Sequence, residues 1–209
     1  MTSDSTADAI LKKAKEHERK YEWLEAADSY RQVLSFESGT VAAETWQTIG
    51  FCYNLASRQT EDLEDFKKVR QLAVEAYKNA AKLFEKANSL ENQGRSAQCN
   101  ALAEYINSWL TSNPQEKTRM LDECRKSGNV ALEAFRNAGC EMNYGETCNI
   151  LLWCLLDHLP LASTLKEKQN LAREGIKLGD QAISCLSKLG NKSELLQAYS
   201  LASLINWYS

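Results

Sequence analysis

Residues 80–88 read Ala80-Ala-Lys-Leu-Phe84-Glu-Lys-Ala-Asn88, and residues 131–139 read Ala131-Leu-Glu-Ala-Phe135-Arg-Asn-Ala-Gly139. Residues 182–190 read Ala182-Ile-Ser-Cys-Leu186-Ser-Lys-Leu-Gly190. Each stretch follows the last by 51 positions and sets a small residue, a large apolar residue and a chain-turning residue at matching places. Gly94 and Gly145 open the next segments at the same interval, and Gly128 and Gly179 match inside longer ones. A fixed step of this size marks stacked supersecondary units, none of which buries its apolar face alone.

The composition agrees with a chain built of helices. Among 209 residues there are two prolines and nine glycines, while strong helix formers are abundant. Net charge is −3, and no quarter of the chain departs from neutrality by more than three charges. A basic face for nucleic acid is therefore absent from the pattern. The seven cysteines include no C-x-x-C pair, and only His17 and His158 could join them as ligands. A disulfide framework, a zinc site and a cofactor are not expected; the thiols read as small core residues in a reducing, cytoplasmic setting. The first residues lack both a basic and an apolar signal region, and the apolar run 150–156 is too short to span a bilayer.

Helix starts are legible as pairs of a capping residue and a glutamate three positions on: Asn88 with Glu91, Asn113 with Glu116, Asn143 with Glu146, Thr164 with Glu167, and Asn191 with Glu194. Pro114 suits the first helical position, and Gly139 and Gly190 suit left-handed helix ends. The spacing predicts an all-α chain of about nine helices, near 5–20, 22–36, 40–58, 61–88, 91–111, 115–138, 143–158, 163–189 and 192–208. Short turns make these a row of antiparallel hairpins, and no linker divides the row, so residues 1–209 are expected to form a single domain.

Trp46-Gln-Thr-Ile49-Gly50-Phe-Cys-Tyr53 and Trp23-Leu-Glu-Ala26-Ala-Asp-Ser-Tyr30-Arg-Gln-Val33-Leu34 resemble the first and second helices of a tetratricopeptide repeat. Ala73-Val-Glu-Ala76-Tyr77-Lys-Asn-Ala80-Ala81 repeats the second-helix pattern. The usual repeat is about 34 residues, so the step of 51 here implies second helices longer by two to three turns. Long hairpins of this kind, with the phrase Ala80-Ala-Lys-Leu-Phe84-Glu-Lys-Ala87, are similar to the soluble NSF attachment protein group. The resemblance covers essentially the whole chain and implies a right-handed superhelical array, a tetratricopeptide-like α-solenoid. The step also aligns Gly50, Ala101, Leu152 and Ser203; Thr45, Ser96, Thr147 and Ala198; and Cys52, Ala103, Cys154 and Ile205. These mostly small columns are expected to form a close-packing seam.

No phosphate loop, dinucleotide turn or nucleophile elbow occurs. Asp157-His158 is the one acid–histidine pair in an apolar context, and it reads as a helix-end histidine near the dipole rather than a base, since no nucleophile accompanies it. The run Glu61-Asp-Leu-Glu-Asp65 reads as an acidic first turn. Enzymatic activity is not expected. By the resemblance, the concave groove of the first helices carries Gln47, Phe51 and Asn54, then Gln98, Leu102 and Tyr105, then Asn149, Trp153 and Leu156. Rings there would supply area to a protein or peptide partner and amides would hold its backbone. The competing reading makes Phe51, Leu102 and Trp153 ordinary core. Leu11, Lys15 and Thr48 stand where some relatives carry a carboxylate clamp, so recognition of a terminal carboxylate is not expected.

The last segment, Leu195 to Tyr208, reads as a first helix without its second. Its apolar ending suggests either that the array is the N-terminal part of a longer protein or that Leu204, Trp207 and Tyr208 mediate self-association. Two functions follow as expectations: a protein–protein interaction module holding a peptide or helical segment in its groove, or the regulatory, sensory or oligomerisation region of a larger signalling or catalytic protein.

Overall fold

The computed structural model describes the backbone of residues 3–208 and the side chains of residues 6–207, so the Tyr208 side chain lies outside the described residues. The described residues form α-helices joined by turns: α1 (Ser3–Arg19), α2 (Trp23–Val33), α3 (Gly39–Ser57), α4 (Leu63–Glu85), α5 (Leu90–Asn107), α6 (Pro114–Ala138), α7 (Glu141–His158), α8 (Leu165–Leu189) and α9 (Lys192–Tyr208). Single 3-10 turns, Leu34–Phe36 and Leu159–Leu161, extend α2 and α7. No helix among the described residues is long and apolar enough to cross a membrane.

The helices fall into two compact units, residues 1–88 with α1–α4 and residues 89–209 with α5–α9. Within each unit consecutive helices pack on one another; in the second, α7 also touches both α5 and α9. The second helices α4, α6 and α8 are 23, 25 and 25 residues long, against 19, 18 and 18 for α3, α5 and α7. In each of these hairpins the second helix is the longer, by four to seven residues.

Glycine contacts carry the step into three dimensions. A Cβ on Gly94 would lie 2.7 Å from the Phe135 ring, and one on Gly145 would lie 2.6 Å from Leu186. Both pairs move together by 51 positions. Gly128 against Leu151 (2.5 Å) recurs as Gly179 against Ala202 (2.7 Å). Each hairpin of the second unit therefore repeats the same antiparallel register, with a glycine admitting a large side chain from the facing helix. In the first unit Gly50 does the same for Tyr77. The seam columns behave accordingly: every member is buried except Ser203, which is exposed on α9.

Capping chemistry explains the helix boundaries. Asn113 accepts from the N–H groups of Gln115 and Glu116 ahead of Pro114, and Thr164 accepts from Glu167 while Glu167 accepts from Ser163 N–H in return. Asp62 caps α4, with Glu64 and Asp65 in its first turn. Gly139 and Gly190 end α6 and α8 at φ 70°. Two expected caps are corrected. Ser89, not Asn88, accepts from Asn92 N–H at the start of α5. Asn143 lies inside α7, which begins at Glu141 without a side-chain cap.

Candidate functional site

In the second unit α5, α7 and α9 are successive first helices, and equal positions on them differ by 51 residues. Leu102, Trp153 and Leu204 form one such column; Tyr105, Leu156 and Trp207, one turn further on, form another. Large apolar groups left partly exposed at a recurring position are unusual, because buried positions recruit such residues first. Trp153 is 37% exposed, Leu204 48% and Trp207 81%. Leu102 is half-buried, while Tyr105 and Leu156 lean on adjacent core clusters. Full burial of the tryptophan, which the core reading requires, is not what the structure contains.

The amides of this face hold the helices together. Gln98, 2% exposed on α5, donates Nε2 to Thr147 Oγ1 (3.0 Å) and to Asn143 O (3.4 Å) on α7. Asn149, 2% exposed on α7, donates Nδ2 to Glu194 O (3.0 Å) and Glu194 Oε2 (2.8 Å) on α9. Asn143 and Glu194 are themselves 51 apart, so the staple is a repeated device. Gln98 and Asn149 were expected as groove amides; they sit instead beneath the face, with Gln98 Oε1 and Asn149 Oδ1 left without partners. Beside them Gln197, with its amide turned to suit both neighbours, accepts from Trp153 Nε1 (2.8 Å) and donates to Glu194 Oε2 (3.3 Å).

In the first unit Phe51 is 48% exposed on α3, with Gln47 and Asn54 half-buried one turn to either side. The Phe51 ring meets Trp23 edge-on at 6.0 Å, and Trp23 in turn meets Tyr21 at 5.9 Å. Tyr21 holds φ 60°, a left-handed conformation that an aromatic residue adopts at some cost in strain.

Three cavities in the second unit lie along the crevice between α6 and α8, of about 300, 400 and 450 Å³. The smallest is bordered by Asp122, Arg125, Glu174 and His158. Arg125 bridges the helices, donating to Glu174 (3.4 and 2.5 Å) and to Asp122 (3.1 Å). His158 does end α7, as expected, yet it is buried with neither ring nitrogen hydrogen-bonded, 4.0 Å from Asp122. Burial pushes its pKa below the ordinary histidine value, and Arg125 adds to this against the carboxylates of Asp122, Glu167 and Glu174. The crevice depends on how far apart two helices stand, and no residue pattern announced it.

All seven cysteines are free; five are buried, and Cys140 and Cys185 are half-buried. Among the described residues no group of three His, Cys, Asp or Glu side chains could hold a metal ion. No protein-family model matches the chain, and no curated protein sequence matches it.

Proposed function

We propose that this chain is a tetratricopeptide-like helical-repeat scaffold, its hairpins winding in the right-handed sense, that binds a peptide or helical segment of another protein and performs no chemistry of its own. The observation that carries the reading is the recurrence of large apolar groups at one repeat position, Leu102–Trp153–Leu204, of which Trp153 and Leu204 are exposed, with Tyr105–Leu156–Trp207 beside them and Trp207 exposed. Packing alone gives no reason to keep large apolar groups at that position while the adjacent seam columns stay mostly small. Neighbouring packed helices stand about 8–10 Å apart. A partner helix crossing them presents side chains seven residues apart at ~10 Å, so it can meet one first helix after another. Phe51, backed by Trp23, offers an aromatic anchor of the same kind in the first unit. The free thiols suit a reducing cytoplasmic setting.

The test is quantitative capture of partners by the chain as it stands, comparing wild type with Trp153→Ala/Leu204→Ser and with Val130→Ser, an exposed apolar control on α6. Loss of a partner in the first variant and its retention in the second is the expected result. Equal capture by all three would sink the assignment. A second reading, a regulatory region that binds a small ligand, is favoured by the cavity beside His158 and would show as ligand-dependent melting with the apolar columns dispensable.

A further inference from the structure

On α5 the stripe Gly94, Ala97 and Ala101 is covered by α6, and on α7 the matching stripe Gly145, Cys148 and Leu152 is buried against α8. One step of 51 further on, the same positions of α9 hold Leu196, Tyr199 and Ser203, and all three are exposed. Leu196 is 67% exposed and Tyr199 52%, while the opposite side of α9, with Ala198, Leu201, Ala202 and Ile205, is buried. Leu196 also stands where the glycine column admits Phe135 or Leu186, so a second helix in the repeated register finds its socket filled. Leu196, Ser200, Ser203 and Trp207 follow one another by four, three and four residues, which lines them up along one side of the helix. Residues 195–209 carry no charged side chain, the longest such run in the chain, and the nearest charge on this side is Lys192, a turn before Leu196.

We infer that this stripe seats a second copy of the chain, α9 packing antiparallel on α9 about a two-fold axis between Ser200 and Ser203. A two-fold contact sets the same surface on both sides, so a charge within it would face its own copy; this stripe has none to repel. An interface core is likewise depleted of charge and enriched in aromatic rings. The shapes also match. Serines at the crossing point let the two helices approach closely, and where the helices diverge Leu196 of one copy meets Trp207 of the other. At their exposures Leu196, Tyr199 and Trp207 hold ~500 Å² of surface per copy. Pairing then removes about 1,000 Å² from water, the size at which a specific interface begins. The seat is distinct from the groove: Leu204 lies about 100° around the helix from Ser203, and Trp207 stands on the border between the two faces.

The experiment is sedimentation equilibrium of the whole chain as wild type, Leu196→Lys, Trp207→Glu and Val130→Lys, the last an exposed apolar control on α6, each checked for an unchanged helical melt. Wild type and Val130→Lys are expected to dimerise in the micromolar range. Leu196→Lys and Trp207→Glu are each expected to weaken the dimer about thirtyfold or more. An equal mixture of those two chains is expected to recover a heterodimer, because antiparallel pairing sets the introduced lysine beside the introduced glutamate and parallel pairing keeps them apart. A monomeric wild type, a dimer indifferent to Leu196→Lys, or one weakened as much by Val130→Lys overturns the inference. So does a mixture that stays monomeric, which removes the antiparallel register. None of these results bears on the groove reading, whose variants lie at Trp153 and Leu204.

Discussion

Replacing Gly94 by alanine sets a methyl group 2.7 Å from two atoms of the Phe135 ring and 3.0 Å from a third. That ring is fully buried at the centre of a cluster with Ala97 and Ala131, so it has nowhere to turn. Overpacking of this kind costs ~1–3 kcal/mol, partly offset by ~1 kcal/mol from exchanging a mid-helix glycine for alanine. The net expectation is a loss of up to ~2 kcal/mol. Phe135→Ala removes a fully buried ring and is expected to cost ~3–5 kcal/mol by itself. In that background the obstacle is gone, and Gly94→Ala should stabilise by ~1 kcal/mol through helix propensity alone. The sign of one substitution thus depends on the other, a coupling of ~1–3 kcal/mol. Equilibrium urea denaturation of the four chains, followed by helical circular dichroism, measures it. If Gly94→Ala stabilised both backgrounds equally, the tight helix approach inferred at each hairpin would be wrong.

Other consequences follow from the same contacts. Asn149→Ala cuts the tie from α7 to α9 and leaves two half-buried acceptors on Glu194 without that donor; a loss of ~1–3 kcal/mol is expected, with faster amide exchange across α9. His158 has a folded pKa below its unfolded value, so the folded state resists protonation. Stability is therefore full above the unfolded pKa of about 6.5 and falls as pH drops through it toward the folded value. His158→Leu should flatten that acid limb in a pH series of denaturation midpoints, and an unchanged limb would assign it to other groups. Burial pushes the Cys52, Cys99 and Cys148 thiols up to about 12. Alkylation of the native chain near neutral pH, read by peptide mass spectrometry, should mark Cys185 and Cys140 well before these three.

Much of the fold is readable from local chemistry. Asn113-Pro114, Thr164 with Glu167, and the glycines at 139 and 190 act within one helical turn, so residue type and spacing suffice to place them. Ser89 and Glu141 escaped because Asn88 and Asn143 carry equally good capping groups, and only the path of the chain into the helix decides between them. Gln98 and Asn149 were expected as accessible amides, and both are 2% exposed. Amides are mostly exposed, and what buries these two is a carbonyl 45 residues away on the next first helix. Gln197 was missed because its indole partner, Trp153, stands on another helix. Leu204 and Trp207, first read as a self-association surface, fall on the apolar columns when the 51-residue step is simply carried one repeat further.

The central claim is that partners meet the first helices of the second unit and not the crevice between α6 and α8. Photo-crosslinking decides it most directly, with a photoreactive residue placed singly at Leu102, Trp153 or Leu204 and, for comparison, at Asn129 or Gln181 in the crevice. Partner peptides captured from the first three positions and not from the last two are the expected result. Capture from Asn129 and Gln181 with none from Leu102, Trp153 or Leu204 would contradict the account.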